Sequence, residues 1–292
     1  MAYFLRNRNL VIVFFILSLF FSVSTYSEVL TPWNINKLPE ISLEYDFGFW
    51  LTSKAAVGKF TVKKTGDNRY VVTLTGETQG AIAFFTNYRK DVMISEMIFD
   101  KKSGRFFPVK FVKKIIIGEN YKESVYLFDY KNMRIVKKRK KIKIVKQNND
   151  PEEDFMNNLE DKSFFPKKII KISTDYIPLK HRKIDDYLTA SMNFFIGAYG
   201  FPPNVNKIKI RLFPEKSRKK RNRVITVLFK QGEKKGLIEM EVNLNVDFIS
   251  DKIKKAFVFI GGNMIPEHVL IPTGTILGTL NAERIHNIGE KK

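Results

Sequence analysis

The chain has 292 residues, with 51 Lys and Arg against 30 Asp and Glu, a formal charge of +21, and 44% hydrophobic residues including 26 Phe. That apolar content supports a sizeable folded core and excludes intrinsic disorder for most of the chain. Because the sequence contains no cysteine, disulfides, thiol catalysis, zinc fingers, iron–sulfur clusters and N-terminal lipoprotein anchoring are excluded.

The first element is a leader. Met1–Arg8 carries Arg6 and Arg8 and no acid, and Leu10–Val23 follows as 14 residues interrupted only by two serines. Ser24-Thr25-Tyr26-Ser27 then precedes the first acid, Glu28. A basic end, a short apolar run and a small-residue exit are the pattern of a secretory signal peptide. As a helix the run reaches about 21 Å, short of a ~30 Å hydrocarbon core. Thr25 and Ser27 suit the positions before a cleavage site, so 1–27 is expected to be removed and 28–292 to form one exported domain. The alternative is an uncleaved anchor in the inner membrane, which would draw Arg6 and Arg8 toward the bilayer at ~2.5–3.5 kcal/mol each near its centre. No later apolar run approaches 18 residues, so no further membrane-spanning helix is expected.

Beyond the leader the sequence predicts strands. Alternation of apolar and polar residues and turn signals place them at Leu43–Leu51, Val57–Lys64, Tyr70–Glu77, Asp91–Phe99, Phe106–Ile117, Lys122–Tyr130 and Arg134–Val145. Further strands are expected at Lys207–Leu212, Val224–Gln231, Glu239–Phe248, Ala256–Ile260 and Thr275–Ala282. Glu239–Phe248 is the cleanest, with Met240, Val242, Leu244, Val246 and Phe248 on one face and Glu241, Asn243, Asn245 and Asp247 on the other. Thr65-Gly66-Asp67-Asn68, Asp100 to Gly104, Gly118-Glu119-Asn120, Lys131-Asn132 and Gln231 to Lys234 separate strands with residues that accept positive φ. This spacing is that of an antiparallel meander.

Two helices are expected. One starts at Asp150-Pro151-Glu152-Glu153, a capping box with Phe155 and Leu159 on its apolar side. The other is capped by Asp185 or Asp186, places Leu188, Met192, Phe195, Ile196 and Tyr199 on one face, and stops at Gly200-Phe201-Pro202-Pro203. Residues 147–184 read as an irregular excursion. The expected fold is therefore mainly β: a large curved antiparallel sheet or partly open barrel with one packed helix near 186–199. The alternatives are a β-sandwich, or two β domains split near 147–184.

Few residues suggest chemistry. His181, His268 and His286 lie far apart with no acid or histidine at metal-site spacing, and no nucleophile elbow or phosphate-binding glycine loop is present. No catalytic residue, metal or cofactor is expected. Asp185-Asp186 reads as helix capping rather than an acid–base pair, since adjacent helix residues do not face each other. The acidic run Asp150–Asp161 lacks the order of a calcium loop.

Two basic clusters stand out. Arg134–Lys146 includes Lys137, Lys138, Arg139, Lys140 and Lys141, and Lys216–Arg223 includes Arg218, Lys219, Lys220 and Arg221. These nine are the candidate contacts for an anionic surface, at ~1 kcal/mol per basic residue. Outside the cytoplasm that surface is anionic lipid, lipopolysaccharide or cell-wall polymer, and not nucleic acid. The plainer reading is charge that guards strand edges against aggregation.

The order of features resembles a bacterial exported family, domain of unknown function 3108. The resemblance rests on Glu44-Tyr45-Asp46-Phe47-Gly48-Phe49-Trp50 with Val57-Gly58-Lys59-Phe60, on Tyr88-Arg89-Lys90-Asp91 leading to Asp100–Gly104 and Pro108, and on Phe128-Asp129-Tyr130. It continues in Asp186-Tyr187-Leu188-Thr189-Ala190-Ser191 and Ile271-Pro272-Thr273-Gly274-Thr275-Ile276-Leu277, and the segment Asp150–Arg182 departs from it. It implies an envelope location in the periplasm and an antiparallel β fold, and brings no catalytic residues.

The expected function is a non-catalytic envelope protein that binds an apolar ligand, lipid or partner segment on a curved sheet and docks to anionic envelope surfaces. The alternative is an envelope hydrolase acting on carbohydrate or lipid with carboxylates from distant strands. Export is checked first: N-terminal sequencing of protein from the envelope fraction should begin at Glu28 or within a few residues of it, and an intact Met1 terminus held in membranes would refute cleavage.

Overall fold

The computed structural model describes residues 32–35, 38, 40–49, 52–145, 167–200, 202, 205–213, 224–231, 238–245, 255–261, 264–273 and 278–285. The leader, the helix expected at Asp150 and the acidic run Asp150–Asp161 lie outside them.

Among the described residues fourteen strands form one antiparallel sheet. They are β1 (Ile41–Phe49), β2 (Thr52–Gly66), β3 (Arg69–Thr78), β4 (Lys90–Asp100), β5 (Arg105–Ile117), β6 (Asn120–Asp129), β7 (Arg134–Val145), β8 (Lys167–Pro178), β9 (Lys207–Arg211), β10 (Val224–Gln231), β11 (Ile238–Asn245), β12 (Lys255–Ile260), β13 (Pro266–Pro272) and β14 (Thr279–Ile285). Every pair of consecutive strands is hydrogen-bonded except β8 and β9. β1 pairs with β14, and β8 and β9 are the two ends of the sheet. The sheet is therefore a meander that has not closed. Two helices are described, α1 (Gly80–Phe85) and α2 (Tyr187–Phe195).

The alternation read from the sequence selects the inner face. Tyr45, Phe60, Val72, Met93, Phe111, Tyr126 and Ile135 are buried on β1 to β7, and Ile210, Val227, Val242, Val258, Val269 and Ala282 on β9 to β14. α2 lies on this face, and all nine of its residues are buried. Phe195 stacks on Trp33 at 4.4 Å and meets Phe60 of β2 edge-on at 6.2 Å. Phe194 stacks on Phe229 of β10 at 6.2 Å, and Tyr187 meets Phe111 of β5 at 5.5 Å. β2 and β10 are six places apart in the sheet, or ~29 Å along a flat surface at ~4.8 Å per strand. A helix ~10–12 Å wide touches both only because the sheet curls around it.

The mainly β fold, the curved antiparallel sheet and the packed helix agree with expectation. One sheet stands in place of a sandwich, and strands on both sides of 147–184 belong to it. Three elements differ. β8 lies inside the stretch read as irregular; its residues 170–174 are exposed on both faces, so no alternation marks them. β13 is bracketed by Pro266 and Pro272, residues that weaken a strand signal although proline is tolerated at a strand start. α1 is six residues long with no side-chain cap, too short for a helical period to register. At the β6–β7 turn the left-handed residue is Met133 (φ 47°) rather than Asn132, whose backbone and side-chain N–H groups both donate to Asp129.

The burial of α2 makes a testable claim. Phe195→Ala removes a ring that is 0% exposed between Trp33 and Phe60, and should lower unfolding free energy by ~3–5 kcal/mol in urea denaturation. An unchanged midpoint would place the helix outside the core.

Candidate functional site

A cluster of buried polar groups gathers where α2 begins. Asp186 is the N-cap residue, and its Oδ1 accepts from Leu188 N (2.8 Å) and Thr189 N (3.0 Å). Its Oδ2 accepts from Ser95 Oγ on β4 (2.7 Å) and from Thr189 Oγ1 (2.8 Å). Asp185 Oδ1 accepts from Arg105 Nη2 (2.8 Å) and Asn193 Nδ2 (3.1 Å), and Oδ2 from the same Nη2 (2.6 Å) and Tyr199 Oη (2.7 Å). Asn193 also brackets the backbone of Phe106, whose N–H donates to Oδ1 (2.7 Å) and whose carbonyl accepts from Nδ2 (3.0 Å). Burial raises the pKa of Asp186 to about 6, against the pull of the Thr189 and Ser95 donors. Burial also raises Asp185, opposed by Arg105, and holds the Tyr199 phenol well above its usual range.

All four carboxylate oxygens are thus occupied, and both residues are at most 2% exposed. This is anchoring, as the capping reading expected, and it leaves no oxygen open to a substrate. Among the described residues no group of three or more His, Asp or Glu is placed to hold a metal, and no helix is long and apolar enough to cross a membrane. His268 stacks on Phe259 and shares a hydrogen bond with Asn281. A cavity of about 300 Å³ lies by the β2–β3 turn, lined by Lys64, Asp67, Asn68, Tyr70, Phe99 and Lys101 beside Ile35.

The surface feature is at one end of the sheet. Between β3 and β4, α1 and the turn after it present Phe84 at 71%, Phe85 at 57% and Tyr88 at 66% exposure. This aromatic knuckle is held firmly. Thr86 Oγ1 donates to Ile82 O (2.7 Å) and lies 2.9 Å from Thr78 Oγ1, Tyr88 N donates to Ala83 O (2.7 Å), and Gly118 N donates to Asn87 O (2.7 Å). Beneath it the buried Arg89 donates from Nε to Asp91 Oδ2 (2.9 Å). Asn87 and Tyr88 are both left-handed, at φ 55° and 50°, a strain of ~1–2 kcal/mol each. Gly118 is required here: its own φ is 53°, and a Cβ would stand 2.4 Å from the Asn87 amide nitrogen.

The same end holds the start of β6 and β8 and the finish of β7. The first basic cluster divides between two faces of β7. Lys137, Arg139, Lys141 and Lys143 share the face of buried Ile135, and Lys138 and Lys140 take the other. Lys137 is only 5% exposed, with Nζ 4.8 Å from the centre of the Tyr126 ring; it packs against the core and is not surface charge as its cluster suggested. Lys138, Arg139, Lys140 and Lys141 are exposed. Lys141 stands directly between Lys122 of β6 and Lys171 of β8. On the outer face Glu123 lies between Lys114 and Lys140; on the Ile135 face Arg139 pairs with Asp175. Arg218, Lys219, Lys220 and Arg221 lie outside the described residues. The knuckle was not found from sequence, because Ala81-Ile82-Ala83-Phe84-Phe85 carries only an apolar signal, which argues for burial.

Residues 43–161 match the model of a family described as protein of unknown function (DUF3108). The match covers the resemblance read from Glu44 to Tyr130; Asp186–Ser191 and Ile271–Leu277 fall beyond it. No curated protein and no solved structure matches the chain.

The polar anchor has a pH signature. An acid whose pKa rises on folding, here from 3.8 to about 6, contributes stability that is fully present below 3.8 and lost as pH rises through 6. The loss is about 3 kcal/mol for this shift. In Asp186→Asn the hydroxyls of Ser95 and Thr189 can turn to accept, so that variant should lack the component. The difference in unfolding free energy between the two proteins should therefore move by ~3 kcal/mol toward the variant between about pH 4 and pH 7. A difference flat across that range would mean an ordinary carboxylate.

Proposed function

We propose that this chain is a non-catalytic protein of the cell envelope, exported after loss of 1–27, that docks on anionic lipid surfaces through the end of the sheet bearing the aromatic knuckle. The observation that carries the reading is that three exposed aromatics and a run of exposed lysines share one rim. Phe84, Phe85 and Tyr88 stand beside the β5–β6 turn through the Gly118–Asn87 hydrogen bond. From that turn β6 and β7 present Lys122, Lys140, Lys141 and Lys143.

The two groups complement each other physically. A tyrosine ring suits the level of lipid headgroups and phenylalanine the acyl boundary just beneath, and full burial of a Phe contributes ~1.5–3 kcal/mol. Each basic residue near an anionic surface adds ~1 kcal/mol and loses most of it beyond a Debye length of ~8 Å. The strained, tightly bonded base under Tyr88 favours a docking element over a mobile loop, since strain of this kind persists where it serves a site. α2 occupies the inner face that an apolar ligand would need, so docking through the rim is preferred to enclosure of a ligand by the sheet.

Cosedimentation with phosphatidylglycerol and with phosphatidylcholine vesicles tests this. The wild type should bind the anionic vesicles and not the zwitterionic ones, more weakly as salt rises. Lys140→Glu/Lys141→Glu/Lys143→Glu should remove the salt-sensitive part. Phe84→Ser/Phe85→Ser/Tyr88→Ser should remove what survives in high salt. Melting temperatures should stay nearly constant, because these side chains are exposed. Equal binding by both variants and the wild type, or by an unrelated protein of matched charge, would refute the reading.

A further inference from the structure

β8 is a sheet edge 12 residues long. It pairs with β7 on one side and with no strand on the other among the described residues. Its outer face exposes Ile170 at 53%, Ile172 at 75% and Tyr176 at 60%. Such an edge is a template for another strand. The opposite edge is guarded: β9 has five residues, carries exposed Lys207, Lys209 and Arg211, and is continued by a bridge from Asp185 to Leu212.

We infer that the free edge of β8 pairs antiparallel with β8 of a second copy of this chain, with the two-fold axis on Ser173. The sequence of the edge is complementary to itself. Residues opposite each other in an antiparallel pair share a face, so a two-fold axis must pass through a residue rather than between two. Centred on Ser173, the pairing sets Lys171 opposite Asp175 of the partner subunit, and Asp175 opposite Lys171 of the partner subunit. It also sets Ile170 opposite Tyr176 of the partner subunit on the outer face and Ile169 opposite Ile177 of the partner subunit on the inner one. Moving the axis to Lys171 would stack lysine on lysine, and moving it to Ile172 or Thr174 would leave Lys171 without a carboxylate.

Charge favours that partner for Lys171. Within its own sheet it faces Lys141, with Lys122 beyond, three lysines in one row. Like charges directly opposite are unfavourable, and a carboxylate across the edge offsets this. Pairing β8 with β9 of another copy would instead set the exposed Lys207, Lys209 and Arg211 against the apolar outer face of Ile170, Ile172 and Tyr176, leave Lys171 opposite buried Ile208 or Ile210, and propagate without closing. The two-fold arrangement closes on itself.

The absence of cysteine makes the register directly testable. Ser173→Cys places one thiol opposite itself, and protein purified as the producing cell leaves it should form a covalent dimer under mild oxidation. Lys168→Cys should not, since its copy would stand about 33 Å away, ten residues along the pair. Sedimentation velocity of the wild type should show a dimer that grows with concentration. Asp175→Lys should give monomer, and Lys171→Asp/Asp175→Lys, which restores opposite charges across the edge, should bring the dimer back. A wild type that is monomeric throughout, equal crosslinking at 173 and 168, or failure of the double exchange to restore association would each overturn the proposal.

Discussion

The structure turns on the burial of two adjacent carboxylates at the start of α2. Asp186 is held by backbone N–H groups of its own helix and by Ser95 of β4, and Asp185 by Arg105 of β5, by Asn193 within α2 and by Tyr199 beyond it. The backbone of Asp185 donates to Arg211 and accepts from Phe213, so the same residue ties the helix to the end of β9. An unsatisfied buried charge costs several kcal/mol, and breaking such a pair from one side costs ~3–5 kcal/mol. The helix can therefore lie on the inner face in one position only, with its N-terminus over β4 and β5. The aromatic contacts of Phe194, Phe195 and Tyr187 then set how far the sheet curls.

With α2 placed, the sheet has a filled region and a bare one. Ile135 and Lys137 are buried on β7, and further along the same face Arg139, Lys141 and Lys143 are exposed. The long strands β5 to β8 extend past the helix, and their far ends carry lysines on both faces. Directly opposed lysines are tolerated there because solvent screens them, at a cost of a few tenths of a kcal/mol each. The knuckle at the head of β4 belongs to this same end, which places the surface aromatics and the exposed charge together.

The open sheet follows from the same geometry. β8 and β9 are separated in sequence by α2 and its connections, so the helix lies on the inner face where the chain passes from one edge to the other. Among the described residues this leaves two edges without a further strand, one short and charged, the other long and partly apolar. The first needs no partner. The second is regular through its pairing with β7 along its whole length, and a second copy paired to it would cover its free side.

Much of the architecture follows from period-two patterning. Met240, Val242, Ile208 and Ile210 alternate with polar residues because one face of their strands packs on the core, and that local rule needs no knowledge of the partner strand. Asp186 as a cap is equally local, since its donors lie two and three residues ahead. The sequence alone thus determined twelve of the fourteen described strands, their antiparallel character, the helix and its start. It could not reveal β8, whose burial pattern has no period because neither face of most of it is covered. Nor could it reveal the knuckle, since Phe84 and Phe85 look like core until the turn at Asn87-Tyr88 points them outward. The division of the first basic cluster, with Lys137 under Tyr126 and Lys141 between two other lysines, depends on register with β6 and β8. Register is a relation between distant segments, and only the tertiary structure decides it.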